Sequence, residues 1–107
     1  MKILITGAAG FIGSHLVDAL AARGDDLVLL DNLSHGRMDN LARHRQNPRI
    51  HFINGDLRNE EQVNQAIKDC SVVYHLGAQS DVVNAVQDLD TTFQTNVVGT
   101  YHILKAA

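Results

Sequence analysis

The chain has 107 residues, of which 45% are hydrophobic and only one is proline, so we expect a single packed domain spanning residues 1–107 and exclude a disordered tail. Its formal net charge of -3 at pH 7, with Lys and Arg scattered along the chain, argues against nucleic-acid binding. No apolar run is long enough for a membrane span or a signal peptide, so we also expect no membrane association.

Cysteine usage points to a reducing compartment. Cys70 is the only cysteine, so no intramolecular disulfide can form, and we expect a cytoplasmic location. We interpret Cys70 as a small packing residue at a helix end rather than as a reactive thiol.

The first element is an apolar strand, Lys2 to Thr6, that runs into three glycines with the spacing G-x-x-G-x-x-G. Gly7 allows a sharp exit from the strand, Gly10 allows backbone N–H groups to approach a pyrophosphate, and Gly13 allows close helix packing. Most dinucleotide dehydrogenases have G-x-G-x-x-G instead, and three glycines alone would also fit a plain helix turn. The preceding strand and an acidic residue after the next strand favour a phosphate-binding turn.

The next two elements extend this βαβ pattern. Ile12, Leu16 and Leu20 recur at i, i+4 spacing, which predicts an amphipathic helix that ends at Gly24. Residues 27–30 form a continuous apolar run, as expected of a parallel strand buried on both faces.

Asp31 ends the second strand at the position where a ribose-binding carboxylate is expected. A lone carboxylate at a strand end is more often a helix cap, but the glycine turn reverses that interpretation. Its charge would repel a 2′-phosphate and favour NAD over NADP, whereas Arg37 would act in the opposite sense. The polar segment 32–47 predicts a loop and a short exposed helix before Pro48.

The second half of the chain repeats the alternation of strand and helix. Residues 50–53 predict a third strand, and Asn59 with Gln62 predicts a capping box at the start of the next helix. Residues 72–76 predict a fourth strand, and the chain after residue 80 predicts helix with an interruption before Leu89. Four β-α units with right-handed crossovers predict an α/β, Rossmann-like parallel sheet of order 3-2-1-4.

Asp56 follows the third strand, so it lies at the same sheet edge as Asp31. A turn or cap role and a contact to adenine are both open for it.

Five motifs now stand in order along the chain: Thr6–Gly13, Asp31–Ser34, Gly55–Leu57, His75–Gln79 and Asn96–Thr100. Together they resemble the successive motifs of the extended short-chain dehydrogenase/reductases. They are most similar to the NAD-dependent nucleotide-sugar epimerases and dehydratases of the UDP-glucose 4-epimerase type. The resemblance covers all 107 residues, with the small departure that Gly77-Ala78 stands where the family more often has two alanines or Ala-Gly.

The resemblance implies NAD as cofactor and a set of residues that bind it. The pyrophosphate residues would be Gly7, Gly10, Phe11, Ile12 and Gly13. The adenosine ribose would contact Asp31 and Asn32, with Leu33, Ser34 and Gly36 in the same loop, and the adenine would contact Asp56 and Leu57. The nicotinamide side would be lined by Leu76, Gly77, Ala78 and Gln79, with Asn96 nearby.

The resemblance also implies that the catalytic groups lie outside this sequence. In the family a Ser or Thr on the fifth strand and a Tyr-x-x-x-Lys on the next helix transfer protons, so we expect a truncated domain that is inactive alone. Tyr101 and Lys105 have the Tyr-x-x-x-Lys spacing, but they follow the fourth-helix motif and should point away from the strand ends. We therefore assign no catalytic residue, and the six histidines show no metal-ligand spacing.

Three functions compete on this sequence. We rank an NAD-binding module first, part of an active epimerase or dehydratase second, and a structural fragment that self-associates third. The fourth strand, residues 71–76, has no proline or lysine to protect it as an edge, and the fourth helix exposes Val97, Val98 and Ile103. In the family this helix commonly contributes to a dimer interface, so we expect a homo-oligomer through the fourth strand, the fourth helix or both.

Overall fold

A four-stranded parallel sheet in the order β3-β2-β1-β4 organises the computed structural model, which describes residues 1–107. The strands are β1 (Lys2–Thr6), β2 (Asp26–Asp31), β3 (Ile50–Asn54) and β4 (Val72–His75). The predicted Rossmann-like sheet and its strand order are confirmed.

Helices connect the strands and follow the last one. They are α1 (Phe11–Ala22), a 3₁₀ helix (Met38–His44), α2 (Glu60–Ile67), α3 (Val82–Gln87), α4 (Leu89–Phe93), a π-helical segment (Gln94–Val98) and α5 (Gly99–Ala106). The predicted interruption before Leu89 lies at Asp88, whose Oδ1 accepts a hydrogen bond from the Thr91 N–H at 3.0 Å and caps α4. None of these helices is both long enough and apolar enough to cross a membrane.

The capping box predicted at α2 forms only in part. Asn59 Oδ1 accepts from the Gln62 N–H at 3.1 Å, as a cap should. The Gln62 side chain does not return the bond to Asn59, because its Oε1 accepts from the Asp56 N–H at 2.7 Å. Gln62 therefore fixes the chain where it leaves β3, which is the edge that carries the candidate site.

Two apolar clusters cover the two faces of the sheet. Ile3 and Ile5 of β1 pack on one face with residues of α1, and Leu4 packs on the other face with residues of α2 and α5. Strand β1 is buried on both faces because side chains alternate along it and helices cover each side. This burial fixes the sheet, so the residues at its carboxyl edge project from a rigid base.

Candidate functional site

A cavity of about 400 Å³ lies at the carboxyl edge of the sheet, where the chain leaves all four strands. Open parallel sheets bind ligands at this edge, next to the point where the strand order reverses. Fifteen of the seventeen predicted site residues line it. They are Gly7, Gly10, Phe11, Ile12, Gly13, Asp31, Asn32, Ser34, Gly36, Asp56, Leu57, Leu76, Gly77, Ala78 and Gln79.

Two positions of the glycine turn, Gly7 and Gly13, have no room for a side chain. Gly7 has a φ of +68°, and a Cβ there would lie 2.8 Å from the Gly77 nitrogen. A Cβ on Gly13 would lie 2.1 Å from the Gly7 carbonyl oxygen. The first approach holds the end of β1 against the loop after β4, and the second holds the start of α1 against the end of β1, which is the geometry that a phosphate-binding turn requires.

Backbone donors are free where α1 begins. The first hydrogen bond of the helix runs from the Ser14 N–H to the Gly10 oxygen at 2.9 Å. The N–H groups of Phe11, Ile12 and Gly13 have no partner in the chain, as expected for the first turn of a helix. Because these residues line the cavity, their N–H groups and the positive end of the helix dipole are available to an anion.

Asp31 joins the glycine turn to the end of β2. Its Oδ2 accepts from the Ala9 N–H at 2.9 Å, and its Oδ1 accepts from the Leu33 N–H at 2.8 Å. The Ala9 carbonyl in turn accepts from the Arg37 N–H and from Asn40 Nδ2. Each carboxylate oxygen keeps a second lone pair, so Asp31 can still accept hydrogen bonds from a ligand in the cavity.

Asp56 is held by a neighbouring cation. Arg58 forms a fork with it, Nε to Oδ1 at 2.9 Å and Nη2 to Oδ2 at 2.7 Å, and Asn32 Nδ2 donates to Oδ2 at 3.1 Å. The side-chain hydrogen bond from Arg58 is the main reason that the pKa of Asp56 falls to about 2. Asp56 also accepts from the Arg58 N–H, so the turn role left open by the sequence is present, while contact with adenine stays a prediction.

The loop after β4 is held by side chains from β1, from the π-helical segment and from the segment after β2. The Gly77 N–H donates to Thr6 Oγ1 at 2.9 Å. Asn96 makes two bonds to the backbone of Gln79, accepting from its N–H at 2.7 Å and donating to its oxygen at 3.0 Å. His35 Nε2 lies 2.7 Å from Gln79 Oε1, so this loop also contacts the segment after β2.

Two predicted site residues lie outside the cavity lining. Leu33 packs against the apolar cluster on the α1 face of the sheet, and its backbone has a φ of +63°. Asn96 directs its amide to the Gln79 backbone and supports the loop. Both were assigned by motif position, which does not specify the direction of a side chain.

Seven lining residues were not predicted. They are Leu30, His35, Gly55, Arg58, Ser80, Thr91 and Thr95. Arg58 could have been found, because an Arg two residues after a turn Asp is well placed to pair with it. Thr91 and Thr95 have helical i, i+4 spacing, but only the path of the chain after β4 shows that they reach this edge.

Tyr101 and Lys105 are not among the residues that line the cavity. Lys105 Nζ lies 3.0 Å from Glu60 Oε1 and 6.0 Å from the centre of the Tyr101 ring. No group of three or more His, Cys, Asp or Glu side chains has a geometry that could hold a metal ion.

The sheet order, the glycine turn and the cavity at the carboxyl edge define a Rossmann-like α/β unit. Residues 4–107 match the family model described as GDP-mannose 4,6 dehydratase, and the chain belongs to this family.

Individual relatives agree with this assignment. The chain is 42% identical over 106 residues to a putative UDP-glucose 4-epimerase from Methanocaldococcus jannaschii, an alignment covering 96% of the chain and 32% of the relative. A Thermus thermophilus UDP-glucose 4-epimerase solved in complex with NAD superposes with a TM-score of 0.84 at 38% identity, over 99% of this chain and 33% of that one. A Streptomyces venezuelae dTDP-glucose 4,6-dehydratase with NAD bound has a TM-score of 0.91 at 34% identity, over 100% of this chain and 35% of that one. The chain therefore spans about a third of the length of these relatives.

The Arg58 fork can be tested by titration. Replacing Arg58 with Met removes the hydrogen bonds that lower the Asp56 pKa, so that pKa should rise from about 2 towards its ordinary value of 3.8. In the unchanged chain Asp56 stabilises the fold above pH 3.8, and this contribution is lost as the pH falls through about 2. Carbon-13 NMR of the carboxyl groups measures the shift, with Arg45→Met as the matched control. An Asp56 pKa that stays near 2 in Arg58→Met would contradict the assignment.

Proposed function

We propose that the chain is an NAD-binding unit of a nucleotide-sugar epimerase or dehydratase. The observation that carries the proposal is the set of free N–H groups at Phe11, Ile12 and Gly13, which face a cavity also lined by Asp31 and Asp56. Pyrophosphate needs several N–H donors at a helix start, and adenosine needs acceptors for its ribose hydroxyls. The site offers both.

The chemistry of NAD in such a protein would be hydride transfer to and from a sugar. The residues of this chain would hold and orient the dinucleotide: the α1 N–H groups the pyrophosphate, Asp31 the adenosine ribose and Asp56 the adenine. The loop Leu76 to Gln79 would lie beside the nicotinamide. Neither a Tyr nor a Lys is among the residues that line the cavity.

The preference between NAD and NADP follows from the charges at the ribose position. Asp31 forms no ion pair, whereas Asp56 is matched by Arg58. The Arg37 side chain, which the sequence left as a possible phosphate partner, is not among the groups that line the cavity. An uncompensated carboxylate repels a 2′-phosphate, which favours NAD.

Gly10→Val tests the pyrophosphate site. A Cβ at this position lies 3.3 Å from the Gly7 oxygen, and the branched side chain would cover the N–H groups that a phosphate must reach. We expect NAD affinity, measured by calorimetry, to fall about tenfold or more, since charge-assisted hydrogen bonds are lost. Ala22→Val, at the exposed far end of α1, should bind like the unchanged chain. Full affinity in a folded Gly10→Val chain would refute this site.

Asp31→Asn tests the cofactor preference. The substitution keeps the size of the side chain but removes the charge, so the ratio of NAD to NADP affinity should narrow by about tenfold. One of the N–H groups of Ala9 and Leu33 would lose its acceptor, and the free energy of unfolding should fall by about 1–3 kcal/mol. Binding is therefore measured well below the melting temperature, with Asp26→Asn as the control. Equal affinities of the unchanged chain for both dinucleotides would show that Asp31 does not set the preference.

We infer in addition that two copies of the chain associate. Four exposed apolar side chains, which we term the α4–α5 stripe, follow one another at single-turn spacing: Phe93, Val97, Tyr101 and Leu104, each more than half exposed. The expected exposure of Ile103 is wrong, because its side chain packs in the apolar cluster with α2. Strand β4 pairs only with β1, so its second edge is open. Contiguous apolar surface and an open strand edge both favour self-association.

The single half-buried Cys70 supports a reducing, cytoplasmic compartment.

Sedimentation velocity across a concentration series tests this association. We expect dimers at high micromolar concentration, and Val97→Glu should shift them to monomers by placing a charge in the stripe. Val82→Glu introduces the same change at an exposed position on α3 and should leave the dimer intact. A monomer at every concentration would contradict self-association, and dimers unaffected by Val97→Glu would exclude the stripe.

A further inference from the structure

A row of side-chain hydrogen bonds crosses from β1 through β4 to α5, beneath the loop that follows β4. Thr6 Oγ1 lies 2.7 Å from His75 Nδ1, and His75 Nε2 lies 2.9 Å from Thr100 Oγ1. Thr6 is completely buried, and the imidazole is partly buried between the two hydroxyl groups. None of these three residues lines the cavity.

The direction of each bond in the row can be assigned. The Asn96 oxygen, 2.7 Å from Thr100 Oγ1, can only accept, so we assign the single Thr100 hydroxyl proton to that bond and the proton of the Thr100–His75 bond to His75 Nε2. Thr6 Oγ1 accepts from the Gly77 N–H and donates its own proton to His75 Nδ1, which must be bare. Every donor in the row then has one acceptor. With a proton on Nδ1, the Thr6 hydroxyl would lose its acceptor, so only the neutral imidazole with hydrogen on Nε2 pairs every donor. Burial lowers the pKa of His75, which favours the same neutral form.

Both ends of the row reach the loop Gly77 to Gln79. At one end the Thr6 hydroxyl receives the Gly77 N–H, and at the other Asn96 holds the Gln79 backbone by two hydrogen bonds. Asn96 lies in the π-helical segment, a wider turn that often marks functional positions in helices. The row therefore connects the two ends of the loop through the rigid elements beneath it.

We propose that His75 is a positioning residue: by donating to Thr100 and accepting from Thr6 it sets the position of the loop Gly77 to Gln79. Through this loop it controls affinity for the nicotinamide half of a dinucleotide. The second statement rests on the proposed function, whereas the first does not. Protonation of Nδ1 or loss of the ring would leave the buried Thr6 hydroxyl proton without its acceptor, and the hydroxyl would no longer be held towards Gly77.

The tautomer and the loop are tested without ligand. Nitrogen-15 NMR of the unchanged chain should show His75 with Nε2 protonated and Nδ1 bare. In His75→Phe, hydrogen exchange at the Gly77 amide should accelerate, while His51→Phe, at an exposed histidine on β3, should leave it unchanged. Thr100→Val, which removes the acceptor for Nε2–H at nearly constant size, should accelerate exchange at the same amide. A proton on Nδ1, or a Gly77 amide that His75→Phe leaves fully protected, would overturn the proposal.

Ligand binding then separates positioning from general loss of structure. His75→Phe should weaken NAD binding about two- to tenfold, the effect of one net hydrogen bond, and leave ADP binding unchanged because ADP does not reach the loop. His75→Asn, whose amide oxygen can replace Nδ1 as the acceptor for Thr6, should restore part of the NAD affinity. Equal weakening of NAD and ADP, or no weakening, would overturn the role in binding. If the unchanged chain binds neither ligand, the proposed function and the role in binding both fail, and the exchange and tautomer results decide the loop placement alone.

Discussion

The close backbone contact between the end of β1 and the loop after β4 determines the geometry of the whole site. Gly7 and Gly77 meet with no Cβ between them, and the Gly7 N–H is itself bonded to the Leu30 oxygen of β2 at 2.9 Å. Three chain segments therefore converge within hydrogen-bond distance at one point of the sheet edge. Bulk at Gly7 would separate β1 from the β4 loop and displace the helix start that carries the free N–H groups, so a small residue here is a condition for the cavity.

The two carboxylates at this edge have different electrostatic environments although they follow neighbouring strands. Asp56 is paired with the Arg58 guanidinium, so its charge is largely compensated, and it also accepts a hydrogen bond from the Arg58 N–H in the turn after β3. Asp31 is bonded only to backbone N–H groups, which orient it without cancelling its charge. A ligand would therefore meet one neutralised and one uncompensated carboxylate, and only the second can strongly repel an added phosphate.

The sequence predicted the fold well because the signals for it are local. Apolar strands such as 27–30 and the alternation of strand and helix are visible in the local pattern, and a glycine turn after the first strand is typical of the doubly wound sheet with the order 3-2-1-4. The site was predicted less completely. Motif position identifies which loops reach the cavity, but Leu33 and Asn96 turn their side chains elsewhere, and Thr95 reaches the edge by a path that no local pattern encodes.

The loop after β4 combines two demands that conflict within the loop itself. Gly77 and Ala78 are small, so the loop backbone can approach the glycine turn closely and line the cavity, but small residues provide little packing to hold a loop in place. The rigidity must then come from hydrogen bonds made by residues in regular elements. Thr6 lies on β1, His75 on β4 and Thr100 on α5, so each bond of the row is anchored in the sheet or in a helix packed on it. A loop held in this way can stay open to a ligand while its backbone keeps one position, which is the preorganisation that a binding site needs.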